Sequence, residues 1–140
     1  MGRVFFNTRK NIVDITKAYT VLPSDSGTTF IIDQTSGAYE ITLPLMADID
    51  RGWNCQFILG TVAANAVTIA NNTAEDTIVG NISTSEIADS ATATLLATSA
   101  VDEIVFISGA QLGETVNIVS NGVNYFVTGG SSAADHITIS

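Results

Sequence analysis

The chain has 140 residues and a mass of 14.6 kDa, enough for one domain with its own core and no disulfide or metal staple. It holds one cysteine, Cys55, and one histidine, His136, which excludes disulfide frameworks, Cys/His zinc sites and iron–sulfur ligation. Val, Ile and Thr supply 46 residues while Leu supplies 7, and charged residues make up only 14%. Branched Cβ atoms suit a pleated surface, so this is strand composition, with hydroxyls and amides in place of charge.

The net charge of −9 is unevenly placed. Residues 1–17 carry Arg3, Arg9, Lys10 and Lys17 against Asp14, a net +3; residues 18–140 carry Arg51 against thirteen carboxylates, a net −12. An acidic body repels phosphate backbones, so no nucleic-acid partner is expected. The apolar runs are too short to span a bilayer, and no membrane partner is expected either. The Val4-Phe5-Phe6 start is too short for the apolar core of a secretory signal.

In chain order, residues 1–17 have the mixed polarity of an N-terminal arm, and residues 18–140 read as one β domain. Ser24-Asp25-Ser26-Gly27 and the stretch from Asp33 to Gly37 are turn clusters. In Tyr39-Glu40-Ile41-Thr42-Leu43 the apolar side chains share one face of a strand. Pro44 to Gly52 allows one or two helical turns, with Gly52 as the stop. Trp53, Cys55, Phe57 and Leu59 alternate with Asn54 and Gln56, a half-buried strand, and Val67/Ile69 repeats the pattern. Ala91–Ala100 is alanine-rich, yet Thr92, Thr94 and Thr98 favour strand, with Ala93, Leu95 and Ala97 on one face; Ile104/Phe106 forms the next.

The sharpest local signal is Ser120-Asn121-Gly122-Val123. Asn-Gly closes two-residue hairpins, which sets Ser120 opposite Val123, Ile118 opposite Tyr125 and Val116 opposite Val127. With about nine to eleven short strands and no βαβ spacing, the expected fold is all-β, an antiparallel β-sandwich or barrel, jelly-roll-like, with an N-terminal arm.

Chemistry is scarce. A serine or cysteine nucleophile needs a base, and His136 is the sole histidine, with no G-x-S-x-G present; a strand-edge or interface role is expected for it. Cys55 alternates with Trp53 and Phe57 and reads as a buried thiol. The carboxylate pairs Asp48/Asp50, Glu75/Asp76 and Asp102/Glu103 read as a solvated acidic rim rather than a glycosidase pair. Asp48-Ile49-Asp50-Arg51-Gly52 opens like a calcium loop but places Arg51 where a ligand belongs and has no closing Glu. No catalytic, metal or cofactor site is expected, and no enzyme activity.

The order of segments carries a resemblance. Tyr19–Phe30 is followed by Ile41-Thr42-Leu43-Pro44, then Gln56-Phe57-Ile58-Leu59-Gly60, Val67-Thr68-Ile69, Asp76-Thr77-Ile78-Val79-Gly80 and Asp102-Glu103-Ile104, ending with Val116–Gly129. This series resembles the capsid decoration (cement) proteins of tailed bacteriophages. The resemblance implies a virion protein, made in the bacterial cytoplasm, clustered as homotrimers on the outer capsid surface, where it ties together copies of the major capsid protein. On that view the arm, through Arg3, Phe5, Phe6, Arg9 and Lys10, is the expected capsid contact: apolar anchors for affinity and basic groups for register. The alternative is a head- or tail-fibre domain that binds host glycans on aromatic rings, for which Tyr19 and Tyr125 are the candidates.

Overall fold

A computed structural model of the chain describes residues 11–34, 37–72, 77–84 and 94–140, with the backbone alone over 94–100. Among these residues there are twelve strands, two single 3-10 turns and no α-helix. One mixed sheet of seven strands and one of five pack together as two β layers.

The larger sheet contains β1 (Ile12–Ile15), β3 (Thr28–Ile32), β5 (Asn54–Leu59), β7 (Ile78–Thr84), β8 (Thr94–Val101), β10 (Thr115–Ser120) and β11 (Tyr125–Ser131), in the spatial order β1-β3-β5-β10-β11-β7-β8. The smaller contains β2 (Tyr19–Thr20), β4 (Tyr39–Thr42), β6 (Val67–Ala70), β9 (Glu103–Phe106) and β12 (Ile137–Ile139), in the order β12-β9-β6-β4-β2. From β1 to β7 the chain visits the two sheets in strict alternation. Within each sheet, therefore, β1, β3 and β5 pair in parallel, and so do β2, β4 and β6.

This corrects the antiparallel expectation. A link as short as residues 16–18 cannot turn a strand back and also reach the opposite layer, but it does span the ~10 Å between packed sheets. Each parallel return thus encloses a whole strand of the other sheet, which supplies the dozen or more residues that a parallel connection needs. Antiparallel pairing appears later, in β5–β10, β10–β11, β7–β8, β6–β9 and β9–β12.

Alternation along the strands builds the core. In β5, Cys55, Phe57 and Leu59 point inward and are buried, while Asn54 is exposed. Ile41 and Leu43, Val67 and Ile69, and Ile104 and Phe106 complete the inner layer from the smaller sheet, in the phase the sequence predicts. Phe30 and Phe57, paired in register on neighbouring strands, stack with ring centroids 5.1 Å apart. Tyr125 meets Trp53 edge-on at 5.9 Å. Where β7 crosses β11, Gly80 has φ +143° and a Cβ there would overlap the backbone carbonyl of Val127, so only glycine lets the two strands approach.

Three local expectations change. Part of the stretch expected as an arm, Ile12–Ile15, is edge strand β1, with Ile15 buried and its carbonyl accepting from Asp33 N and Tyr39 OH. The 3-10 turns fall at Pro23–Asp25 and Met46–Asp48, the second inside the segment where helical turns are expected. The Asn-Gly hairpin closes with a four-residue loop: Ser120 pairs with Tyr125, Ile118 with Val127 and Val116 with Gly129. Asn121 Oδ1 accepts from the backbone N–H of Val123 and Asn124, so its side chain organises a wider turn than the dipeptide alone predicts. The slip is two residues, so the strand side chains keep their predicted faces, while Val123, expected opposite Ser120, falls in the loop and is exposed.

Candidate functional site

Arg3, Phe5, Phe6, Arg9 and Lys10, the expected capsid contacts, lie outside the described residues, as do Glu75 and Asp76. The other candidates are placed. His136 closes the link between β11 and β12, and its backbone carbonyl is held by Ile107 N. Its Nδ1 lies 2.7 Å from Oε1 of Glu114, a residue fixed beside the end of β5 by a hydrogen bond from Leu59 N to its carbonyl. Ser132, at the start of the same link, donates to that oxygen from its backbone N–H (3.0 Å) and from Oγ (2.5 Å).

Serine, histidine and acid thus meet, but not as a catalytic triad. A triad places serine and carboxylate on opposite ring nitrogens. Here Ser132 Oγ, 3.0 Å away, and Glu114 both approach Nδ1, and the serine proton points at the carboxylate. A carboxylate oxygen at that distance only accepts, so Nδ1 carries the proton and takes none from Ser132. The cluster is a clamp that fastens the β11–β12 link to the start of β10. Glu114 is 4% exposed, and burial alone raises its pKa; the hydrogen bonds from Ser132 Oγ, His136 and Ser132 N, with the His136 charge, outweigh burial and hold it below the usual glutamate range. Its second oxygen, Oε2, is buried without a partner. Sequence reasoning missed Glu114, because it lies in a loop 22 residues from His136 and belongs to no motif.

Cys55 is buried, and burial pushes its thiol well above the usual range, which removes the thiolate as a nucleophile. Asp48 and Asp50 are exposed beside Arg51, and Glu103 accepts from Ser140 Oγ. Among the described residues no three of His, Cys, Asp and Glu gather to hold a metal ion, and no helix is long and apolar enough to cross a membrane. The glycan candidates are poorly placed. Tyr125 is buried, donating from its hydroxyl to Pro44 O at 2.6 Å, and Tyr19 is half-buried against Phe30. Trp53 is buried too, with Nε1 bonded to Pro23 O.

The feature that stands out is a surface. The register of the larger sheet lines up its outward side chains in rows that cross the strands. The middle row runs Ile12, Thr29, Gln56, Asn117, Thr128, Asn81: an exposed isoleucine at the β1 edge, then hydroxyls and amides, of which Thr29 is buried. Toward the β10–β11 turn the next row is Asn54, Val119, Phe126, Val79, with Val119 and Phe126 each 48% exposed. On the other side it is Ile31, Ile58, Thr115, Gly130, Ser83. Gly130 leaves this last row without a side chain, and an open depression of about 490 Å³ forms there, bounded by Ser83, Leu112, Thr115, Ser132 and the buried Glu114. From β1 to β7 this outer face carries a single charge, Asp14 at the β1 edge, whereas Glu40 and Glu103 stand on the outer face of the smaller sheet. No family model matches the chain, and no curated protein matches it in sequence.

Proposed function

We propose that this chain is a structural contact protein without enzymatic activity, a capsid decoration (cement) protein of a tailed phage that clusters, as trimers, on the outer shell and braces neighbouring capsomers. The observation that carries the reading is the broad outer face of the seven-stranded sheet, one charge in six strands on a chain of net charge −9. Such a face presents amides, hydroxyls and a few apolar groups to a partner, and with so few charges it costs less to desolvate than an acidic face. Cementing needs only contacts that exist in the assembled shell, since whatever binds the assembled state alone stabilises it, and many copies multiply a modest gain per copy.

Cryo-electron microscopy of phage particles that carry the chain tests the proposal. Density for the domain at capsomer junctions supports it. Density confined to a tail or projecting fibre moves the reading to host recognition, and absence from the particle overturns both. The contribution of the arm is tested by deleting residues 1–10 alone, because deletion of 1–17 also strips strand β1 and the buried Ile15. Loss of shell binding with an unchanged melting temperature is the expected result, and full occupancy refutes the role given to Arg3, Phe5, Phe6, Arg9 and Lys10.

A further inference from the structure

The outer face of the larger sheet has a knob and a hole on one strand. Phe126 stands proud at one end of β11, and the depression over Gly130 lies four residues along, about 13 Å away. Thr128, exposed, is midway between them. We propose that two copies of this chain associate through this face about a twofold axis that runs along the middle row and passes over Thr128. The operation lays β11 antiparallel over β11 of the other copy. Each Phe126 then enters the depression over the other copy's Gly130, and Val119 faces Thr115.

Three observations support that occupant. First, the axis sets each middle-row residue against its own counterpart. Gln56, Asn117 and Asn81 carry both donors and acceptors on one amide, so like pairs with like; a charge in this row would meet its own sign. Second, each copy carries −9, and apposing the smaller sheets would bring Glu40 and Glu103 of both copies together, whereas this face adds little repulsion. Third, the dimensions suffice. Sixteen outward positions, Ile12 and Asp14 of β1 included, at about 4.8 by 6.7 Å each give roughly 500 Å² per copy, so the pair reaches about the 1,000 Å² total expected of a specific interface. A cavity of about 150 Å³ accepts a benzene ring, so the depression has room for a phenyl group.

The inference goes beyond the contact-protein reading and concerns the free chain: this pairing covers the face that the shell is proposed to take, so it must open before trimers form there, and its test is made in solution with no particle present, so either can fail alone. Sedimentation equilibrium of the full chain should give twice the 14.6 kDa monomer mass. Thr128→Lys and Thr128→Asp should each sediment as monomers, and an equimolar mixture of the two should recover the dimer, because the position faces itself across the axis. Gly130→Leu, whose side chain enters open space in a single copy, should also give monomers by filling the hole. Circular dichroism melts confirm that each variant is folded, and if one Thr128 variant fails, Gly130→Leu still decides. A wild-type monomer at about 100 µM overturns the proposal. So does a dimer or trimer indifferent to these substitutions, and a mixture that stays monomeric refutes the axis.

Discussion

Replacing Glu114 by alanine removes the acceptor on which three hydrogen bonds converge. The donors left behind are Ser132 N–H, Ser132 Oγ–H and His136 Nδ1–H. A hydrogen bond to a charged group contributes about 1.5–3 kcal/mol, and an unsatisfied buried donor costs about 1–3 kcal/mol. Two features reduce the sum: Ser132 and His136 are only half-buried, so water replaces part of what is lost, and the substitution also relieves the burial of unpartnered Oε2. The expected destabilisation is about 2 kcal/mol for Glu114→Ala and about 1 kcal/mol for Glu114→Gln, which keeps a neutral acceptor. Trp53, the one tryptophan, is 5% exposed in the native chain and reports unfolding in urea by its fluorescence. The midpoint should fall with the slope unchanged. The pH dependence follows from the lowered Glu114 pKa. A carboxyl whose folded pKa lies below its unfolded value stabilises fully above the unfolded value, about 4.3, and that contribution is lost as pH falls through the folded value. The deficit of Glu114→Gln relative to the wild type is therefore full at pH 6 and shrinks below about pH 4. A deficit that persists undiminished to about pH 2, or no deficit at pH 6, refutes the clamp as described.

Gly80→Ala should cost at least about 3 kcal/mol, since it combines a φ of +143° with overlap on the Val127 carbonyl; a thermal melt within about 2 °C of wild type contradicts the close strand approach. Tyr125→Phe should lower stability by about 1–2 kcal/mol in urea titration, because the Pro44 carbonyl loses its 2.6 Å donor in a buried position, and a neutral result places water there instead. Cys55 should resist a disulfide reagent in buffer and react at once in denaturant, burial holding the thiol protonated and out of reach; rapid labelling of the native chain contradicts this.

Facing was legible in the sequence because burial writes itself into a chain with period two. Tyr39 to Leu43, Trp53 to Leu59 and the two arms of the β10–β11 hairpin all keep their predicted sides. Pairing was not legible, because periodicity is silent about which sheet a strand joins. The link 21–27 carries the turn cluster Ser24-Asp25-Ser26-Gly27, yet like 16–18 it crosses between layers. Even at Asn121-Gly122, where the local signal was strongest, backbone N–H groups donating to the side chain of the same Asn121 widened the loop and moved the partners by two. Sites follow the same division. Cys55 was readable from its alternation, while the Glu114–His136 contact joins two loops across the end of a sheet and depends on the tertiary path alone. The contact face needed both kinds of information: the alternation shows which residues point outward, and only the register lines them up in rows.

The alternation of early strands between layers also governs how the chain comes to be folded. In the first half no strand has a neighbour in sequence as its partner in space, and the inner strands β5 and β6 stay half-paired until β10 and β9 exist: Cys55 waits for Ile118, and Val67 for Phe106. Pairings so distant along the chain close slowly, on the millisecond-to-second scale of high contact order. During synthesis the strands of the N-terminal half therefore leave the ribosome with open, β-prone edges, and the larger sheet is complete only once the β10–β11 hairpin, itself a local structure, inserts between β5 and β7.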